Sequence, residues 1–221
     1  MATRAMSLWR DSAWKRHLVA ALPDMPSPHC IDLACGTGDV TSLLARKYPR
    51  GEIVGLDLTE PMLVLARGRN RHRNVRFTRQ DMSALGVATE SVDVVTGSYA
   101  LRNAPELGQT LDEIRRILKP GGVAAFLDFA KPATRCLQAA EYWLLKTWCG
   151  LWGLALHGNP EIHAYIASSL DVFPDRAQLR GLFVDRGFEL TASRPFFLGI
   201  TELVVLRKPP GPGTPARSAT P

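Results

Sequence analysis

The stretch Asp32-Leu33-Ala34-Cys35-Gly36-Thr37-Gly38-Asp39 constrains this chain more than any other. An apolar run, His29-Cys30-Ile31-Asp32-Leu33, leads into it, and a helical pattern (Val40, Leu43, Leu44, Lys47) leaves it. A strand that turns through small residues into a helix builds a ligand cradle. Gly36 and Gly38 reach backbone angles closed to other residues and let a ligand lie against the main chain. The helix beyond them aims its unpaired N–H groups at whatever lies there. The same residues would serve an ordinary strand-to-helix turn, so acids further along the chain must decide between the two.

Two kinds of enzyme use such a loop. Dinucleotide enzymes hold a pyrophosphate with Gly-x-Gly-x-x-Gly; here Thr41 stands in the third glycine position. Asp32 lies inside the motif, and a carboxylate there suits a cationic amino-acid ligand better than a diphosphate. The motif resembles the first motif of class I S-adenosylmethionine-dependent methyltransferases. Asp32, Ala34, Cys35, Gly36, Thr37 and Gly38 are therefore the first candidate cofactor contacts.

Later acids fall where a nucleoside site needs them. Glu52–Asp57 reads as a second strand that ends in a carboxylate, about twenty residues after the glycine loop, the place of a ribose-binding acid. Asp57 could instead cap the helix that contains Pro61, Met62 and Leu65, but Thr59 is placed to do that and leaves Asp57 free. Leu58 and Met62 flank it. Val75–Arg79 is a third strand, followed by Asp81 and Met82, an acid beside an apolar side chain that can hold adenine. A plain turn aspartate is the alternative there. Ser91–Ser98 is a buried fourth strand that runs into Tyr99-Ala100-Leu101-Arg102-Asn103. Ser98, Tyr99, Arg102 and Asn103 should lie near the reacting centre, because such sheets bind ligands beyond the carboxyl ends of their strands.

The other elements follow from period and punctuation. Residues 7–22 read as an amphipathic helix carrying Trp9 and Trp14, ended by Pro23. A helix over Leu107–Leu118 is ended by Lys119-Pro120-Gly121-Gly122, and Val123–Phe129 is the fifth strand. Residues 175–187 form a helix capped by Asp175 and ended by Gly187, and strands at 188–194 and 200–207 follow. The Pro- and Gly-rich tail 208–221 should be disordered.

The 221 residues fit one α/β domain over 1–207, with an N-terminal helix and linker at 7–28. Net charge is +6, with a cluster at Arg67–Arg73 that reads as a solvated helix end rather than a site for nucleic acid or an anionic membrane. Four cysteines without Cys-x-x-Cys spacing predict a reduced, cytoplasmic protein with no structural zinc. No apolar run has the length of a membrane span.

Several stretches together resemble the ubiquinone/menaquinone biosynthesis C-methyltransferase family. They are Trp14-Lys15-Arg16, Asp32–Asp39, Gly55-Leu56-Asp57, Leu101-Arg102-Asn103, Arg115–Gly122 and Asp128-Phe129-Ala130-Lys131-Pro132. A last block has Tyr165, Ser169, Phe173-Pro174, Leu179 and Gly187-Phe188. The resemblance implies a Rossmann-like, seven-stranded, mostly parallel sheet with helices on both faces. It implies S-adenosyl-L-methionine contacts at Thr37, Asp57, Asp81, Met82 and Ser98. It also implies that Arg102 helps to deprotonate the substrate through water. The family's Tyr-Asp-x-x-Asn segment, the acid before Ser169 (here Ser168) and a histidine in the last strand have no counterpart. These departures surround the substrate and point to a divergent member with its own acceptor.

Residues 133–170 are a helical cap inserted after strand 5, with apolar residues nearly all round. The segment can be core, a lid over a pocket for a prenylated or polycyclic substrate, or a membrane contact. His157, Glu161 and His163 lack metal-ligand spacing, although either histidine could serve as a base.

The expected reaction is methyl transfer to an electron-rich ring carbon of a quinol, phenol or related metabolite. Arg102 would stabilise the oxyanion, with Tyr99, Tyr165 and Asn103 beside it. O- or N-methylation, or a cyclisation that keeps the sulfonium as a fixed charge, uses the same scaffold. A hydrophobic or aromatic small molecule is the expected partner, with a homodimer and peripheral membrane contact left open.

Overall fold

Alternate residues of each central strand feed two separate cores in the computed structural model. Ile31, Leu33, Val95, Ala124, Phe126, Val204 and Leu206 enter one cluster; Cys30, Val94, Ala125, Leu127, Leu203 and Val205 enter the other. This two-residue period, buried on both sides, is what valine-rich central strands demand. The structure describes residues 10–132, 134–157, 169–170 and 172–211, without the side chains at 135, 140–141, 145, 149, 152–157 and 198.

Seven strands form one sheet: β1 (His29–Leu33), β2 (Glu52–Asp57), β3 (Val75–Arg79), β4 (Val92–Ser98), β5 (Leu118–Phe129), β6 (Glu189–Phe196) and β7 (Thr201–Arg207). Their order is β3-β2-β1-β4-β5-β7-β6. The first five pair in parallel, and β7 runs antiparallel to both β5 and β6. The fold is the expected Rossmann-like α/β sheet.

Helices cover both faces. α1 (Asp11–Ala20) and α2 (Asp39–Lys47) place Trp14, Leu18, Val40 and Leu44 in the second cluster. α4 (Leu107–Ile117) and α6 (Arg176–Asp185) place Leu111, Ile114, Ile117 and Phe183 in the first. Each such side chain, taken fully from water, stabilises the fold by about 1.5–3 kcal/mol. α6 starts with a capping box: Asp175 accepts from the Gln178 amide at 2.9 Å, and Gln178 accepts from the Asp175 amide at 3.0 Å. α3 (Glu60–Arg69) ends in the basic cluster, where Arg71 donates to the carbonyls of Gly68 and Asn70. α5 (Arg135–His157) is one 23-residue helix after β5.

Two expectations need correction. Lys119-Pro120-Gly121-Gly122 does not separate helix from strand: β5 begins at Leu118, which pairs with Val92, while Val94 pairs with Val123. The glycines make an irregularity within the strand, and Gly121 takes φ 79°. Nor does a free tail begin at 208. Lys208 is buried, and its ammonium donates to Glu90 at 3.0 Å and to the carbonyls of Arg115 and Leu118 at 3.0 and 2.7 Å. It anchors the chain to the irregular start of β5. The tail from 212 lies outside the described residues.

Candidate cofactor and acceptor site

The chain reverses its travel across the sheet between β1 and β4, so a crevice opens beyond their carboxyl ends. Three strand ends meet there. β1 delivers the loop Ala34–Gly38, β2 delivers Asp57 and β4 delivers Ser98.

The loop is left-handed at Ala34 (φ 48°), Gly36 (φ 54°) and Gly38 (φ 80°). Two of the three are glycine, the residue for which that region is free of strain. The Cys35 amide donates to the Leu56 carbonyl at 2.9 Å, and the Gly38 amide to the Cys35 carbonyl at 2.9 Å. Burial, with Asp32 and Asp57 nearby, pushes the Cys35 thiol up, so it remains a thiol. A cavity of about 310 Å³ opens beside the loop, lined by Ser12, Lys15, Arg16, Thr37, Gly38 and Asp39 among others.

Asp32 does not face a ligand as expected. It is buried; one oxygen accepts from Thr41 at 2.6 Å and the other from Thr96 at 2.9 Å. Burial outweighs these two hydroxyls and pushes the carboxyl up to about 6. Asp32 is an internal strut that fastens α2 to β1 and β4.

Asp57 is not left free by Thr59. Thr59 stands at the N-cap position of α3 without a side-chain cap bond. Asp57 instead accepts from the Thr59 amide at 2.8 Å with one oxygen and from the Gly36 amide at 2.8 Å with the other. The acid thus ties the glycine loop to the start of α3. Each oxygen keeps a second lone pair for a ligand hydroxyl.

Leu58 and Met62 stand beside it with about half of their surfaces in water. Asp81 accepts from the Ser83 amide at 2.8 Å, and Met82, partly buried, packs on the first core. The Ser98 hydroxyl oxygen is buried with no hydrogen-bond partner among the described residues. A buried polar atom without a partner costs about 1–3 kcal/mol. Its place at the end of β4 makes it a position where a polar ligand would remove that cost.

The next residues form a second group. Tyr99 is left-handed at φ 60°, a strained state for a tyrosine. Three bonds hold it: its amide to the Leu127 carbonyl (2.7 Å), its hydroxyl to Asp11 (3.1 Å), and its own carbonyl accepting from the Asn103 amide group (2.7 Å). Burial, and then Asp11, push the phenol well above its ordinary range. Asn103 therefore braces the turn. Lys15 stands between Asp11 (2.8 Å) and Asp39 (3.1 Å), joining α1 to the start of α2. Burial alone would lower the Lys15 ammonium, but the two carboxylates raise it.

Arg102 is buried. Its Nε stands 3.8 Å from Asp128, its amide donates to the same carboxylate at 3.1 Å, and Nη1 donates to Ser169. The guanidinium lies 5.2 Å over the Phe129 ring. Burial pushes Asp128 up to about 6 against the pull of Arg102 and the neighbouring amides. Tyr165, Glu161 and His163 lie outside the described residues, as does the side chain of His157.

Sequence reasoning missed Asp11, Thr41, Thr96 and Asp128 as parts of this site. Asp128 stands in one of the stretches that resemble the family, and Asp11 stands four residues before Lys15, the spacing of a helical ion pair. Thr96 gave no signal, because its partner is 64 residues away.

The donor set fits S-adenosyl-L-methionine. It combines a left-handed loop, an acid at the second strand end, an acid–methionine pair at the third and an orphaned hydroxyl at the fourth. Solved structures share the fold. A chain from the structure titled as the complex between the Haloferax volcanii Trm112 methyltransferase activator and the putative methyltransferase superposes with a TM-score of 0.70 at 21% identity, covering 93% of this chain and 94% of that one. An S-adenosylmethionine-dependent methyltransferase of Mesorhizobium loti gives 0.64 at 18% identity, covering 89% and 97%. Among curated relatives, the 2-phytyl-1,4-naphtoquinone methyltransferase of Thermosynechococcus vestitus is 35% identical over 92% of this chain and 91% of its own. The ubiquinone/menaquinone biosynthesis C-methyltransferase UbiE of Desulfotalea psychrophila is 30% identical over 90% and 81%. The family profile matches residues 1–205, and with the cofactor cradle in place the chain belongs to the ubiE/COQ5 methyltransferase family and uses S-adenosylmethionine.

Proposed function

We propose that this enzyme methylates a ring carbon of a prenylated quinol; its relatives are named a 2-phytyl-1,4-naphtoquinone methyltransferase and a ubiquinone/menaquinone biosynthesis C-methyltransferase. The observation that carries the proposal is the buried Arg102 guanidinium, fixed by Asp128 and Ser169 just beyond the end of β4. A hydroquinone carbon becomes nucleophilic as its oxygen loses a proton. A guanidinium aimed at that oxygen stabilises the charge, and one such donor contributes about 3 kcal/mol to the barrier reduction.

In this reading Asp57 takes the ribose hydroxyls with its remaining lone pairs. Asp81 and Met82 take the adenine, and Ser98 finds its missing partner on the cofactor. Arg16, which lines the cavity beside Thr37, sets positive charge toward the methionyl carboxylate. Leu58 and Met62 cover the ring faces. When bound, the cofactor supplies a methyl group already activated by its sulfonium. The protein's remaining work is to align the acceptor carbon and hold the oxyanion.

The test is mass spectrometry with methyl-labelled S-adenosylmethionine and a panel of demethylated prenyl quinols, soluble phenols, indoles and polycyclic aromatics. Label on a ring carbon of the quinol supports the reading. Label on oxygen or nitrogen, or on soluble acceptors alone, replaces it with a metabolite methyltransferase. Rearranged, unlabelled product would instead assign a cyclase.

A further inference from the structure

Helix α5 leaves a large apolar surface in water. Leu137, Leu144, Trp148 and Leu151 follow one another at seven, four and three residues, so they share one stripe of the helix. Leu137, Leu144 and Leu151, with Trp143 beside them, are between 53% and 64% exposed, and Trp148 is 36% exposed. Among the described side chains of α5, Tyr142 is the one that packs on the core. The reading of residues 133–170 as plain core therefore fails for this stripe. A contiguous apolar surface of this kind marks a binding face.

We propose that this stripe lies in the surface of an anionic lipid bilayer, with α5 parallel to the membrane plane. The inference rests on the prenylated-quinol reading, because such an acceptor is dissolved in the bilayer and must be met there. The helix starts where the acceptor group ends. Asp128 and Phe129 close β5, and Gln138 in the first turns of α5 donates to the Pro132 carbonyl at 2.6 Å. The stripe is thus tethered within a few residues of Arg102's partners.

Its chemistry is interfacial. Tryptophan prefers the headgroup boundary, where one edge is apolar and the other wet. The Lys146 ammonium lies 5.1 Å over Trp143 and 5.5 Å over Tyr142, a cation held on the aromatic border of the stripe where lipid phosphates would be. Charge selects the same occupant: a chain of net +6 is drawn to anionic headgroups and repelled by a second copy of itself. No helix among the described residues is long and apolar enough to cross a membrane, so the contact is on the surface.

The experiment is co-sedimentation of the full chain with vesicles of phosphatidylcholine alone or mixed with phosphatidylglycerol. Tryptophan quenching by brominated lipid is read in parallel. The protein should sediment with the anionic vesicles, less so as salt rises. Leu144→Ser with Leu151→Ser should lower partitioning at least about tenfold, since both changes remove apolar area from the contact. Methyl transfer to a short-tailed quinol in solution should be unchanged in that variant. Lys146→Glu, a second surface change, should weaken binding to anionic vesicles alone. Wild-type protein that stays in the supernatant, or a double variant that sediments as before, overturns the proposal. So does a double variant that turns a dimer into a monomer by light scattering, since the stripe would then bind a second copy. Vesicle binding without methylation of any quinol would overturn the acceptor reading and leave the membrane contact standing.

Discussion

The Asp57 carboxylate accepts the Gly36 amide at 2.8 Å, so the acid at the end of β2 sets the shape of the loop after β1. Its other oxygen holds the Thr59 amide at 2.8 Å, at the entrance to α3. The residue proposed to meet the ribose thus also organises the backbone of the glycine loop.

Asp57→Ala should therefore lose both functions. Cofactor affinity should fall at least tenfold by calorimetry, which is about 1.4 kcal/mol or more. Far-ultraviolet circular dichroism should stay native, because the sheet pairings of β2 do not use this side chain. Unaltered affinity would rule out the ribose role.

Ser98→Ala should move two quantities in opposite directions. Removing a buried hydroxyl without a protein partner should leave the cofactor-free protein as stable or more so, by up to about 1 kcal/mol in urea unfolding. Cofactor binding should weaken severalfold, since the contact proposed between this hydroxyl and the cofactor is lost. A cofactor-free protein destabilised by more than about 1 kcal/mol would show that the hydroxyl is already satisfied.

Asp32 and Asp128 both titrate at about 6 in the folded protein, against roughly 3.9 unfolded. Between those values the folded state binds more protons than the unfolded one. Stability therefore falls as pH rises from about 4 to about 6, and above that the full cost is present, of order 2–3 kcal/mol for each group. Asp32→Asn keeps one acceptor for a threonine hydroxyl and a donor for the other. It should remove about half of the slope and raise stability at pH 7 relative to wild type. The check is urea unfolding at several pH values; an unchanged slope would contradict the assignment to Asp32.

Arg102→Ala and Asp128→Asn should separate catalysis from cofactor binding. For Arg102→Ala the turnover number should fall about a hundredfold or more with cofactor affinity within a factor of two. Asp128→Asn should lose less, because the amide can still accept from the Arg102 backbone while its hold on the guanidinium weakens. Equal losses in turnover and cofactor affinity for Arg102→Ala would move that residue out of the acceptor site.

The sheet was legible because its central strands are short apolar runs that end in small residues or acids, as in Glu52–Asp57 and Val92–Ser98. The Asp175 cap was legible because a capping box is a local pattern. Long-range pairings were not. Tyr99 meets Asp11 across 88 residues, and Asp32 meets Thr96 across 64, so neither side announces its partner. Pro-Gly-Gly reads as a stop, yet at Lys119–Gly122 the chain stays in the sheet because Lys208 and β4 hold both sides of the irregularity. Helix α5 stayed open between core, lid and membrane contact for a different reason. A segment that is apolar nearly all round carries no periodicity to say which side is covered.

Phe77, on the edge strand β3, lies where side chains at Gly55 and Gly38 would have to go: a Cβ at Gly55 would come within 2.7 Å of it, and one at Gly38 within 3.0 Å. At Gly38 the glycine loop therefore rests on an aromatic ring carried by the edge strand β3, which pairs with β2 alone. Edge strands open before central ones. A side chain at either glycine would therefore press first on β3, at the border of the sheet, where one strand partner holds the chain.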